Sequence, residues 1–97
     1  MSFHDQKLQN HIRDIAAEFI GKEAGPSSLI TVTEVSMNDQ STTATVYVTV
    51  LPETKIPEAT SFLKRQRGPF REYFMSKSPI RRVPTFDFEV KPWSAAI

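Results

Sequence analysis

The chain contains no cysteine, which removes disulfides, a thiolate nucleophile and any cysteine-ligated zinc. No apolar run approaches the ~20 residues that a membrane-spanning helix requires. The N-terminal stretch MSFHDQKLQN lacks the basic-then-apolar order of a secretory signal, so a cytoplasmic protein is expected. Glycine is scarce, at three residues, and tryptophan occurs once. Ninety-seven residues give room for a single domain, 1–97, but not for a linker and a second core. A chain of that size buries only about 60–65% of its unfolded surface, so its stability margin is narrow. Its 39% apolar content is that of a folded globule rather than a disordered tail.

A net charge of +1 conceals a strong asymmetry. Residues 1–63 carry four Lys/Arg against eight Asp/Glu, residues 64–82 carry seven against one (Glu72), and residues 83–97 carry one against two. The positive charge is therefore gathered in KRQRGPFREYFMSKSPIRRVP, residues 64–84. Charge runs are commonly solvated faces. This one spans two predicted helix faces and a strand start, which keeps polyanion binding open beside that reading.

Periodicity orders the rest. Leu8, Ile12, Ile15 and Phe19 form one apolar stripe on a helix over about 4–21, with Asp5, Gln9, Arg13 and Glu18 off it. Ser2 and Asp5 fit a capping box, while Gly21 and Gly25-Pro26 supply stop signals. SLITVTEVSM and TTATVYVTVL, joined by the turn residues Asn38–Ser41, read as an antiparallel hairpin. Ala44, Val46, Val48 and Val50 face the core in the second strand, with Thr45, Tyr47 and Thr49 opposite. Val35 breaks the alternation of the first strand and predicts a bulge or bend. Pro52 closes the hairpin, and Pro57 suits the first turn of a helix whose apolar side is Ala59, Phe62 and Leu63. Gly68-Pro69 interrupts that helix, and Phe70, Tyr73 and Phe74 mark another after it. A bend centred on Gly68 is expected, with positive φ or a similarly restricted backbone there, because that glycine must both end a helix and precede Pro69. Phe86, Phe88 and Val90 then alternate in a last strand, and Pro84 before it implies an edge strand or bulge.

The chemistry-bearing residues are few. His4 and His11 stand about 10 Å apart along one helix, too far to share a metal. No Ser/His/Asp set or carboxylate pair is supported, so surface histidines, no cofactor, no metal and no enzymatic activity are expected. Phe70, Tyr73, Phe74, Phe86 and Phe88 are stacking platforms or core, and their periodicity favours core. Tyr47 is the exposed aromatic candidate, and Trp93 would cover a sheet edge.

The order helix, strand, strand, helix, helix, strand is that of an α+β type II KH-like domain with a three-stranded sheet and a kink between the paired helices. ITVTEVSMND, ATVYVTVL, GPFREYF and IRRVPTFDF, in that order and at those distances, resemble the ribosome-binding factor A family of bacterial small-subunit assembly factors. The resemblance covers roughly residues 8–90. RNA-binding KH modules carry a Gly-x-x-Gly loop between the paired helices; the family replaces it with Ala-x-Gly. Here the kink is Gln66-Arg67-Gly68, with Gln66 where the family usually has Ala. The NDQS turn also departs from the family's Asp-Leu, and many members carry a C-terminal extension beyond the KPWSAAI of this chain.

The resemblance implies a non-catalytic ribosome biogenesis factor, monomeric when free, that binds the maturing 30S subunit and 16S rRNA near the decoding region. It also implies a part in rRNA processing, importance in the cold and release by an assembly GTPase. A general single-stranded RNA-binding KH-like module is the alternative, with a small enzyme or protein-interaction domain behind it. The expected rRNA contacts are Lys64, Arg65, Arg67, Arg71, Lys77, Arg81 and Arg82. Arg67 and Arg71 should share one surface, and Arg81 and Arg82 point oppositely if strand-like, so at most one of them joins that surface unless the strand starts later.

Overall fold

The structure, a computed structural model, describes residues 3–25, 29–80 and 82–92, with side chains from residue 6. Helix α1 (Phe3–Glu23) precedes strands β1 (Leu29–Met37) and β2 (Thr43–Leu51). A short 3-10 turn (Glu53–Lys55) leads into α2 (Ile56–Arg65), then α3 (Arg67–Lys77) and β3 (Thr85–Val90). The element order is the expected one. Ser2, Arg81 and Trp93 lie outside the described residues, as do the side chains of His4 and Asp5.

The strands form one mixed sheet in the order β1-β2-β3, antiparallel between β1 and β2 and parallel between β2 and β3. Parallel neighbours need a crossover, and α2 with α3 supplies it. Helix α1 lies over β1 while α2 and α3 lie over β3, so all three helices cover one face. That face is apolar because β2 turns Ala44, Val46, Val48 and Val50 inward, all buried. The bulge falls at Thr33: Val32 pairs with Val48 and Glu34 with Tyr47. The extra residue returns Val35 to the face of Val32, which resolves the broken alternation. In the turn, Asn38 Oδ1 accepts the Thr42 and Thr43 N–H groups at 2.8 and 2.9 Å.

Phe70 centres the core. Its ring lies 5.3 Å from Phe19 on α1, 6.3 Å from Phe74 on α3, and 4.8 and 5.5 Å from Phe86 and Phe88 on β3. Ile12, Ile15, Ala16 and Ile20 extend this core along α1, and Ala59 and Leu63 extend it along α2. Pro84 leads into β3, an edge strand.

Three expectations are corrected. Gly21 does not end α1, which continues to Glu23. A helical glycine costs only about 1 kcal/mol, less than the burial of the adjoining Phe19 and Ile20 supplies. Thr49, expected on the open face, is 1% exposed. It sits on the central strand opposite Thr31, beside the strand end that carries Lys91. His11 is not a plain surface histidine: its Nε2 lies 3.1 Å from Ser78 Oγ, and its ring meets Phe74 edge-on at 5.6 Å.

Candidate nucleic-acid interface

The joint between α2 and α3 turns on one residue, Gln66. Its N–H is shared between the Phe62 and Leu63 carbonyls, at 3.2 and 3.0 Å, and its own carbonyl accepts the Phe70 N–H at 2.8 Å. Gln66 thus closes one helix and opens the next, with φ −89° and ψ 0°. Any residue can adopt that backbone.

The bend is therefore not at Gly68, and no glycine among the described residues has positive φ. Gly68 lies inside the first turn of α3. Its role follows from the residue after it. A Cβ preceding proline disfavours helical geometry, a strain that Ile56 bears before Pro57 at the start of α2 and that Gly68, without a Cβ, avoids. Pro69 in turn is tolerated because its missing N–H falls in a turn where helical N–H groups have no internal partner.

Lys64, Arg65, Arg67, Arg71, Lys77 and Arg82 are all exposed, but the fold does not gather them. Lys64 and Arg65 end α2 and Arg67 begins α3, so these three surround the joint. Arg67 Nε donates to the Lys64 carbonyl at 3.2 Å, and its Nη1 lies 3.7 Å from Asp87 Oδ1 on β3. Arg71, one turn further, leans along α3, with Nη1 3.4 Å from Met75 Sδ. Lys77 is drawn away to α1: its Nζ is 3.9 Å from Glu18 and 5.4 Å from the centre of the Tyr73 ring. Arg82 lines a hollow with Leu8, Thr42, Ile80 and Pro84.

Periodicity alone did not disclose two other clusters. At the α1–α3 seam the Tyr73 hydroxyl donates to Glu18 at 2.5 Å and accepts from Lys22 Nζ at 3.2 Å. Lys22 also pairs with Glu18 at 3.4 Å. The Tyr73 hydroxyl, and then Lys22, hold the Glu18 carboxyl below its ordinary pKa. Tyr73 and then Glu18 raise that of Lys22. The i,i+4 spacing of Glu18 with Lys22, and of Tyr73 with Lys77, was the available sequence signal.

The second cluster lies on the open sheet face. Lys91 Nζ stands 4.2 Å over the Tyr47 ring and bonds to Glu34, so β3 is strapped across β2 to β1. Glu34 is the main cause of the raised Lys91 pKa. Tyr47, the aromatic candidate for base stacking, has a ring face covered by its own chain's ammonium. Phe70, Phe74, Phe86 and Phe88 are core. Among the described residues no group of three or more His, Asp or Glu could hold a metal, and no helix is long and apolar enough to cross a membrane.

The family model for ribosome-binding factor A matches residues 4–92. The chain belongs to the ribosome-binding factor A family. The crystal structure of ribosome-binding factor A from Thermus thermophilus superposes with a TM-score of 0.76 at 24% identity, covering 92% of this chain and 96% of that one. A homology model of the Thermus thermophilus factor, fitted into the cryo-EM map of a 30S complex of that factor, gives 0.75 at 25% identity over 93% and 96% of the two chains. No match to a curated protein sequence is found. The mixed three-stranded sheet and the α-β-β-α-α-β order are thus those of ribosome-binding factor A structures. Gln66 is the hinge itself.

Proposed function

We propose that this chain is a non-catalytic assembly factor that binds the maturing 30S subunit and assists 16S rRNA maturation. The observation that carries the reading is the exposed cationic joint, Lys64, Arg65 and Arg67 with Arg71 beyond, in a ribosome-binding factor A chain. The positive end of the α3 dipole emerges beside Arg67, and it favours an anion there. Phosphate contacts of this kind fix position on folded RNA without reading bases. The joint has one glycine rather than a Gly-x-x-Gly loop, and the Tyr47 ring is covered. Both favour docking on a structured subunit over capture of a free single strand. A single cytoplasmic domain, monomeric when free and released by an assembly GTPase, completes the reading by family resemblance.

Co-sedimentation with free small subunits, complete ribosomes and short RNA oligomers tests it. Binding confined to free small subunits is expected. Each phosphate contact contributes about −0.7 to −0.9 to the slope of log K against log salt, so four joint cations give roughly −3 to −4. Reversing Arg67 and Arg71 together to Glu should abolish binding at moderate salt with circular dichroism unchanged. A folded double variant that binds like wild type, with the same salt slope, would leave the joint a solvated face. Tight binding to oligomers would favour the general RNA module instead.

A further inference from the structure

Asp87 is an acid placed against the cationic joint. By Coulomb's law alone it weakens phosphate binding there. The geometry points elsewhere. Asp87 Oδ1 accepts the Phe88 N–H at 2.9 Å, which fixes the carboxylate on β3. From there it stands 3.7 Å from Arg67 Nη1, a separation that orients the cation without forming a hydrogen bond. Arg67 Nε meanwhile donates to the Lys64 carbonyl at 3.2 Å, one of the acceptors left over where α2 ends. Two anchors from different elements fix the plane of a rigid group while sparing its Nη hydrogens. Those hydrogens form the fork with which a guanidinium grips phosphate.

We infer that Asp87 is a positioning residue for Arg67. This rests on the phosphate-contact reading above: the carboxylate and the Lys64 carbonyl hold the guanidinium ready for a bidentate phosphate contact. An arginine not held in this way must give up rotamer freedom when it binds.

The test is small-subunit affinity for wild type, Asp87→Asn, Arg67→Ala and the double variant. Asparagine keeps an Oδ1 that can accept the Phe88 N–H, so the strand is preserved and only the charge is lost. Although Asp87→Asn removes a negative charge, it should weaken binding roughly three- to tenfold, the ordering cost of one long side chain. In the Arg67→Ala background it should cause no loss. The Arg67 guanidinium of the free protein, followed by side-chain 15N relaxation, should be more ordered in wild type than in Asp87→Asn. Tighter binding by Asp87→Asn, or an equal loss in both backgrounds, overturns the inference and leaves the Arg67 contact standing. Wild-type binding by Arg67→Ala overturns both.

Discussion

Replacing Phe70 with alanine tests the core most directly. The ring is fully buried and is packed by aromatic side chains from α1, α3 and β3 at 4.8–6.3 Å. Phe→Ala in a core costs about 3–5 kcal/mol, and the upper end applies where the surroundings cannot collapse into the space. Three separate elements, each fixed by other contacts, line this one. The lost edge-to-face contacts, at ~0.5–1.5 kcal/mol per aromatic pair, place the loss toward that upper end. Against a total stability of about 5–15 kcal/mol for a domain of this size, the variant should be marginally folded. With a urea m-value near ~1.5 kcal/mol/M, the denaturation midpoint should fall by about 2–3 M. Melting should drop by roughly 4–8 °C per kcal/mol lost. Phe70→Leu, closer in volume, should cost less than Phe70→Ala, though it still forfeits the aromatic pairs. Phe62, only half-buried on α2, should lose much less as Phe62→Ala. A Phe70→Ala loss below about 1.5 kcal/mol, or one no larger than that of Phe62→Ala, refutes the assignment of Phe70 as the hub.

Two further outcomes follow from other sites. Gly68→Ala should destabilise the wild type, because Pro69 follows, yet stabilise a Pro69→Ala background by up to about 1 kcal/mol, the helix preference of Ala over Gly. The same sign in both backgrounds would refute the account of that glycine. At the α1–α3 seam, Tyr73 and Lys22 lower the Glu18 pKa. Its contribution is therefore full above the ordinary carboxylate value of about 4.3 and is lost as pH falls through the lowered one. The stability difference between wild type and Glu18→Gln should be constant near neutrality and shrink across that acidic window. A difference independent of pH down to pH ~2 would show that the carboxylate is not held by its partners.

The fold was legible because each element carried its own signal. The stripe Leu8, Ile12, Ile15 and Phe19 specified α1, and the four inward residues of β2 specified the covered face. Even the irregularity at Val35 foretold the bulge, since a one-residue slip turns every later side chain over. The site was harder to read. Within the expected Gln66-Arg67-Gly68 kink, Gly68 drew attention because glycine usually marks positive φ, but the proline beside it gives a different steric reason, and the hinge centres on Gln66. That hinge depends on backbone hydrogen bonds from both helices, which no residue type announces.

The partners of the charges were hidden for a related reason. A sequence counts cations, whereas a fold sets their partners. Seven Lys/Arg between residues 64 and 82 look like one patch, but Lys77 is engaged by Glu18, fifty-nine positions earlier along the chain. Arg67 is engaged by Asp87, twenty positions later. Both acids belong to segments whose net charge opposes that of the joint. The two pairs differ in geometry. Lys77 joins a network with Glu18, Tyr73 and Lys22 that ties α1 to α3. Arg67 meets a single acid at ion-pair distance and keeps its outer N–H groups available. The same attraction thus draws Lys77 into the seam between two helices and leaves Arg67 at the joint, with its guanidinium oriented.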